Sequence, residues 1–183
     1  MKAHAQRGLT IAELLVFLGL AGLLSAMGMY GLSLYLRRTK TAEAVGSVRT
    51  MAKAAADYYD ASDATQPAGT EPTAAKAMRH FPASSRASVP AEMVDVRGKQ
   101  FQSNAADWSV SPWRDMRFSM PQPQYYAYSF RAEGVGATAS ATAIAQGDLD
   151  ADTDESRFTL DIKPDAESNA KVAAEIVRER GDE

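Results

Sequence analysis

The stretch Leu9-Thr10-Ile11-Ala12-Glu13-Leu14-Leu15-Val16 begins a hydrophobic run that continues to Leu36. Within this run the only charged side chain is that of Glu13. A run of this length predicts a transmembrane helix, because about 20 apolar residues suffice to cross a bilayer. A carboxylate inside such a segment is costly, and it therefore marks a functional residue by default.

A short basic segment that ends in a glycine precedes the run: Lys2, His4, Arg7 and Gly8. Together with Glu13, this segment resembles the class III signal of type IV pilin and pseudopilin precursors. The resemblance implies that a prepilin peptidase cleaves after Gly8 and that the new amine at Leu9, where the family usually has phenylalanine, is N-methylated. It also implies that Glu13 pairs with the amine of a neighbouring subunit and sets the axial register of a filament.

The glycines of the run give a second point of comparison with the family. Gly22 coincides with a family glycine, whereas Tyr30 stands where the family has a proline. Family filaments melt part of this helix. Without the proline, we expect Gly22, Gly28 and Gly31 to make the helix extensible, because glycine weakens a helix by about 1 kcal/mol relative to alanine. Close packing between helices through small residues is the alternative.

The charges around the run predict its orientation. Lys2 and Arg7 precede the apolar residues, so we expect a cytoplasmic N-terminus and an exported remainder. The resemblance implies an inner-membrane protein with a periplasmic domain before assembly and a cell-surface pilus afterwards. It implies as partners other copies of the chain or other pilins, a prepilin peptidase, and a pilus assembly platform in the inner membrane. A plain signal anchor, with Glu13 snorkelling towards the headgroups, is the alternative.

The composition limits the chemistry of the exported part. The chain has 183 residues, a formal charge of −3 and no cysteine. Loss of the first eight residues removes two basic side chains and leaves a formal charge of −5, which argues against a nucleic acid held by charge. Without cysteine, no disulfide staples the domain, and cysteine-based metal or catalytic sites are excluded.

The chain order predicts an α+β protein, and the resemblance implies the type IV pilin fold, one long helix packed on a small antiparallel sheet. An amphipathic stripe indicates that the helix continues beyond the apolar run: Val45, Val48, Ala52, Ala55 and Tyr59. The expected segments are a leader at 1–8, a transmembrane assembly helix at 9–36, an amphipathic periplasmic half-helix at 37–60, a connector at 61–92, the sheet at 93–164 and a polar tail at 165–183.

Alternating residues predict the strands. Apolar and polar side chains alternate over residues 126–130 and 158–162, and small side chains alternate over 137–145, which predicts three antiparallel strands. A short edge strand is predicted at 93–96. The tail at 165–183 is expected to be a surface helix or disordered.

The aromatic residues have two interpretations. Those at Trp108, Trp113 and Phe118 lie in an irregular stretch that we expect to fill the space between helix and sheet. The tyrosines at 125, 126 and 128 belong either to the core, as alternating strand residues usually do, or to a carbohydrate-binding patch.

Residues 147–155 carry five acidic side chains between two predicted strands. Asp148, Asp150 and Asp152 have the spacing of the first three ligands of an EF-hand loop, and Asp154 is a further candidate. Threonines stand where the EF-hand requires its glycine and its glutamate, so this is not an EF-hand. A simpler calcium loop, of the kind some pilins and pseudopilins hold, and a solvated acidic turn are both open. No other cofactor is expected.

No enzyme is expected, because the sequence has no phosphate-binding loop, no serine elbow and only His80 beyond the leader. The leading hypothesis is a structural subunit, major or minor, of a type IV pilus used for motility, adhesion or DNA uptake. The second is a pseudopilin of a type II secretion system. The third is a signal-anchored periplasmic binding or enzymatic domain.

Overall fold

A computed structural model describes residues 10–62 and 71–180 of the chain. The predicted cleavage site at Gly8 and Leu9 lies outside the described residues. The chain divides into two units, residues 1–38 and 39–183, which are described separately.

Helix α1 spans Ile11–Ala61 and confirms the predicted long N-terminal helix. Its first part lies in unit 1 and is apolar on every side. Its second part lies in unit 2, where the predicted stripe is buried: Val48, Ala52, Ala55 and Tyr59 are all 0% exposed, and Val45 is half-buried. A stripe at helical spacing buries one face of a helix against its own domain, which explains why this part of α1 belongs to unit 2.

Between α1 and the sheet the chain forms short helices, one in the connector and two in the first part of the segment predicted as the sheet. Helix α2 covers Pro72–Ala77, with the proline at its first turn, where a missing N–H costs nothing. The edge strand predicted at 93–96 is wrong, because Met93–Asp95 forms one turn of 3₁₀ helix. Four residues are too few for alternation to distinguish a strand from a turn. Helix α3 covers Trp113–Met116.

The sheet is an antiparallel meander built from β1 (Ala127–Glu133), β2 (Ser140–Gly147) and β3 (Ser156–Pro164). Phe130 lies opposite Ala143, which in turn lies opposite Leu160, so large and small side chains alternate across the buried face. The three predicted strands are confirmed, but the second begins later than predicted, because Gly136–Thr138 forms a 3₁₀ turn.

The C-terminal tail was predicted to be a surface helix or disordered, and both expectations are wrong for its described residues. Strands β4 (Ala170–Val172) and β5 (Val177–Glu179) both pair antiparallel with β3. Each contributes only three residues, and the chain between them leaves the ladder. Strands this short carry too little alternation to be recognised in the sequence.

An aromatic cluster fills the core beside the sheet, as predicted for the irregular stretch. The rings of Trp108, Trp113 and Phe118 contact one another edge-on or tilted at centroid distances of 5.2–6.0 Å, and Phe118 also contacts Tyr128. Both Tyr126 and Tyr128 are 0% exposed. The interpretation of these tyrosines as a carbohydrate-binding patch is therefore wrong.

A polar clasp ties the C-terminal strands to the end of α1. The buried Arg79 donates from Nη1 to the carbonyl of Ser168 at 2.6 Å and lies 3.6 Å from Asp60. The amide of Ala170 donates to the same Asp60 carboxylate at 2.9 Å. In a chain without cysteine, hydrogen bonds rather than a disulfide hold this turn against the helix.

Candidate assembly site

The residue that attracts attention in the sequence, Glu13, closes the N-terminus of its own helix. The Oε2 atom of Glu13 accepts hydrogen bonds from the backbone N–H and the hydroxyl of Thr10, both at 2.8 Å. The Thr10 hydroxyl oxygen accepts the Glu13 amide at 3.2 Å. Because Thr10 precedes the first helical residue by one position and Glu13 follows by two, these contacts form a capping box. Two N–H groups that the helix cannot pair internally are thereby satisfied.

The described large apolar side chains of unit 1 are exposed. Among the described residues up to position 36, the exposed fractions of the large apolar side chains run from 47% at Leu14 to 80% at Ile11. One stretch of α1 is long and apolar enough to cross a membrane, and none of it is buried. Signal sequences and the core helices of soluble proteins share this length and composition.

The three glycines assigned to helix flexibility lie on open helix surface. A Cβ atom added at Gly22, Gly28 or Gly31 would meet no other atom within 4 Å. Nothing within the single chain therefore requires glycine at these positions. Their proposed roles, extensibility of the helix or close packing against a second helix, both stay predictions.

The acidic loop in unit 2 is organised by its first aspartate. The Asp148 carboxylate, which is 1% exposed, accepts the amides of Ala151 at 2.7 Å and Thr153 at 3.1 Å. Both of those residues have left-handed backbone, with φ of 64° and 82°. Arg97 places its Nε 3.2 Å from Oδ2 of Asp148 and supplies the opposite charge. The Asp148 carboxylate thus holds the backbone of the turn through two hydrogen bonds, and Arg97 balances its buried charge.

A calcium ion fits this loop only in part. Oxygens of Asp148, Asp150 and Asp152 lie within 4.8 Å of one another, as the spacing predicted. Calcium takes six to eight oxygen ligands, but Asp148 already binds two amides and Arg97, and Asp152 accepts the amide of Asp154 at 2.8 Å. The fourth candidate, Asp154, is turned to an ion pair with Arg180 at 2.6 Å. These contacts favour the acidic turn closed by its own amides over the calcium loop.

Sequence reasoning missed a second carboxylate of unit 2, that of the half-buried Glu43. It accepts the amide of Tyr125 at 3.0 Å and the hydroxyl of Tyr128 at 2.9 Å, joining α1 to the start of β1. Burial raises the pKa of Glu43, and the hydrogen bonds from Tyr125 and Tyr128 oppose that rise. Burial, together with the Glu43 charge, also raises the pKa of Tyr128. No sequence signal distinguishes Glu43 from a solvated residue, because its partners lie more than 80 positions away in the chain.

The capping box, by contrast, was available in the sequence. Threonine followed three residues later by glutamate, just before an apolar run, is the sequence signature of a helix N-terminus. The apolar run and the class III resemblance mark Glu13 but not Thr10. Comparison of the chain with protein-family models, with curated proteins and with solved structures finds no match.

Proposed function

We propose that this chain is a structural subunit of a type IV pilus, a pilin that polymerises through its N-terminal helix. The observation that carries the proposal is the isolation of Glu13. It is the single charge between Leu9 and Leu36, and its carboxylate is bound in the described structure only by Thr10. Around it stand apolar side chains that unit 1 itself leaves exposed.

The apolar surface that unit 1 leaves exposed can be buried in two ways. A helix that is apolar on all sides is stable either in a bilayer or among other helices. Lipid covers the apolar side chains but offers no partner for a carboxylate. A bundle of identical helices covers the same surface and brings a cation to each Glu13 if the leader is removed and a new amine forms at Leu9. A buried ion pair of this kind adds little raw stability, but it specifies register well.

The α+β architecture of the chain is compatible with this proposal. In unit 2 the apolar stripe of α1 is buried within the domain that contains the meander. In the proposed filament, unit 1 makes the contacts between subunits and unit 2 forms the outer surface. A pseudopilin has the same division, and the two are separated by where the processed protein accumulates.

Mass spectrometry of fibres sheared from cells, with the cell membranes analysed in parallel, tests the proposal. We expect a polypeptide that begins at N-methylated Leu9 in the sheared fraction, abundant for a major pilin and scarce for a minor one. Processed protein confined to membranes would instead assign the chain to a secretion pseudopilin. A chain that keeps Met1 and its leader would refute both and leave the signal-anchored domain.

A further inference from the structure

Unit 2 contains a cavity of about 580 Å³ that the proposed assembly role does not use. This volume falls in the range of about 300–1,000 Å³ typical of small-molecule sites. Three segments of the irregular region form it: residues 83–91, residues 95–101 and residues 107–113. No residue of the acidic loop lines it.

The three segments are held in place before any ligand arrives. The amides of Ser85 and Val89 donate to strand β1 at 2.8 and 2.9 Å. Phe101 exchanges two backbone hydrogen bonds with Gln124, both at 2.8 Å, and the Trp108 ring nitrogen donates to Ser103 at 2.9 Å. A cavity whose walls are fixed in this way binds without the entropic cost of ordering loops.

The floor of the cavity is apolar, and its rim mixes polar and apolar side chains. The floor is formed by the buried Val89, Pro90 and Trp113 and the half-buried Phe101. On the rim stand one guanidinium and two carboxylates, together with serine hydroxyls: Arg86, Asp95, Asp107, Ser88 and Ser111. Val110 and three exposed alanines complete the rim.

Two of the rim groups have unused hydrogen-bonding capacity. Within residues 10–62 and 71–180, the side chains of Arg86 and Asp95 make no hydrogen bond or ion pair. The carboxylate of Asp107 accepts the Asn104 amide through one oxygen, at 2.8 Å, and its other oxygen makes no such contact.

From this lining we infer that the cavity binds a short saccharide, a ligand with an apolar C–H face and hydroxyls around its edge. Each sugar hydroxyl both donates and accepts, and the lining offers two carboxylates as acceptors and an arginine as donor. A phosphorylated ligand fits less well, because the lining carries one arginine against two carboxylates. A lipid chain would desolvate the three charged groups without pairing them.

An extended peptide is the less favoured occupant, because the adjoining chain is bulged. Four residue steps from Ser85 to Val89 lie opposite two steps from Phe130 to Tyr128. The extra residues, Arg86 and Ala87, form a bend at the cavity and interrupt the straight edge that an added strand would need. The saccharide site does not depend on polymerisation, so failure of either proposal leaves the other standing.

The two tryptophans of the chain make the test direct, because one lies in the cavity wall and the other contacts it. Full-length protein in a zwitterionic detergent, since maltoside headgroups are themselves sugars, is titrated with lactose, maltose and N,N′-diacetylchitobiose while tryptophan emission is recorded. Glycerol at matched concentration controls for solvent effects.

We expect a saturable change in tryptophan emission with at least one sugar. We expect Asp95→Asn and Arg86→Ala each to weaken binding by about tenfold, the loss of one hydrogen bond to a charged group.

Matched controls lie outside the cavity lining. Arg131→Ala and Glu175→Gln change exposed residues of the same charge and should leave the titration unchanged. No saturable response to any of the three sugars up to about 100 mM, well above the millimolar range of weak binding, would overturn the inference. So would a response that survives both cavity variants, or one given by trialanine and by none of the sugars.

Discussion

The two halves of α1 are both rich in apolar residues, but these side chains are exposed in one half and buried in the other. In unit 1 every described large apolar side chain up to Leu36 is at least 47% exposed. In unit 2 the apolar side chains of the same helix, such as Val48 and Met51, are fully buried by the domain. Their carboxylates differ likewise, since Glu13 is bound only by its own first turn, whereas Glu43 is bound by a strand. One half of the helix buries its apolar side chains within its own domain, and the other half leaves them exposed.

Replacement of Glu13 by alanine tests the exposed half of α1 most directly and should have the largest effect. We expect fibres to disappear, while processing after Gly8 continues and unit 2 melts at its normal temperature. The reason is that Glu13 makes its only described contacts with Thr10, so nothing in unit 2 depends on it. Sheared-fibre yield, the mass of the processed chain and thermal denaturation give the three readouts.

Thr10→Ala is the matched control for this experiment. It removes the hydroxyl that shares the capping box but keeps the charge of Glu13. If the charge sets register, this variant should form more fibre than Glu13→Ala does. Normal fibre yield from Glu13→Ala would refute the register role.

Two methionines of the same helix compare its halves with identical chemistry. Met51 is 0% exposed in unit 2, and Met29 is 74% exposed in unit 1. Met51→Ala should lower the free energy of unfolding by about 2–5 kcal/mol, because it leaves a cavity in the core. Met29→Ala should leave the melting of unit 2 unchanged. Denaturant titration of both variants in micelles measures the difference, and equal losses would contradict the division of the helix.

The Asp148 carboxylate differs from that of Glu13 because its partners lie within the folded domain of unit 2. Asp148→Ala removes the acceptor of two amides and the partner of Arg97, so we expect a loss of about 1–3 kcal/mol in the free energy of unfolding. Because the loop satisfies its own charge, calcium at millimolar concentration should leave the melting temperature of the unaltered protein unchanged. A calcium-dependent rise that Asp150→Asn abolishes would restore the calcium loop.

The sequence anticipated those parts of the molecule whose pattern repeats over several turns or residues. The long helix, its buried stripe at Val48 to Tyr59 and the three central strands follow from periodicity alone. What it did not anticipate depends on pairs far apart in the chain. The edge strands β4 and β5 exist because β3 offers them a ladder. Arg79, Arg97 and Glu43 matter because folding brings a distant partner to each. Local pattern carries no information on such pairs.

The pH dependence of stability should report on Glu43. Burial raises its pKa above the ordinary value of 4.5 in the folded state. The folded protein therefore binds this proton more tightly than the unfolded chain does, and the stabilisation is complete below the unfolded pKa. As pH rises through the raised pKa, this contribution is lost. Glu43→Gln should flatten the fall in stability over that window, as measured by denaturant titration at several pH values. An unchanged slope would show that other groups dominate.

Two glycines complete the comparison with the smallest expected effect. Gly46 and Gly28 both lie inside α1 on open surface, where an added Cβ meets nothing within 4 Å. Gly46→Ala should raise the free energy of unfolding of unit 2 by about 0.5–1 kcal/mol, because alanine has the higher helix propensity and no contact opposes it.

Gly28→Ala should leave that free energy unchanged, since Gly28 lies in unit 1, and should affect fibres instead. If Gly28 permits the helix to extend, the alanine variant should form fibres that rupture at a smaller extension under load. If Gly28 permits close packing, it should form fewer fibres of normal extensibility. A stabilisation of unit 2 by Gly28→Ala equal to that by Gly46→Ala would mean that the two halves of α1 unfold together.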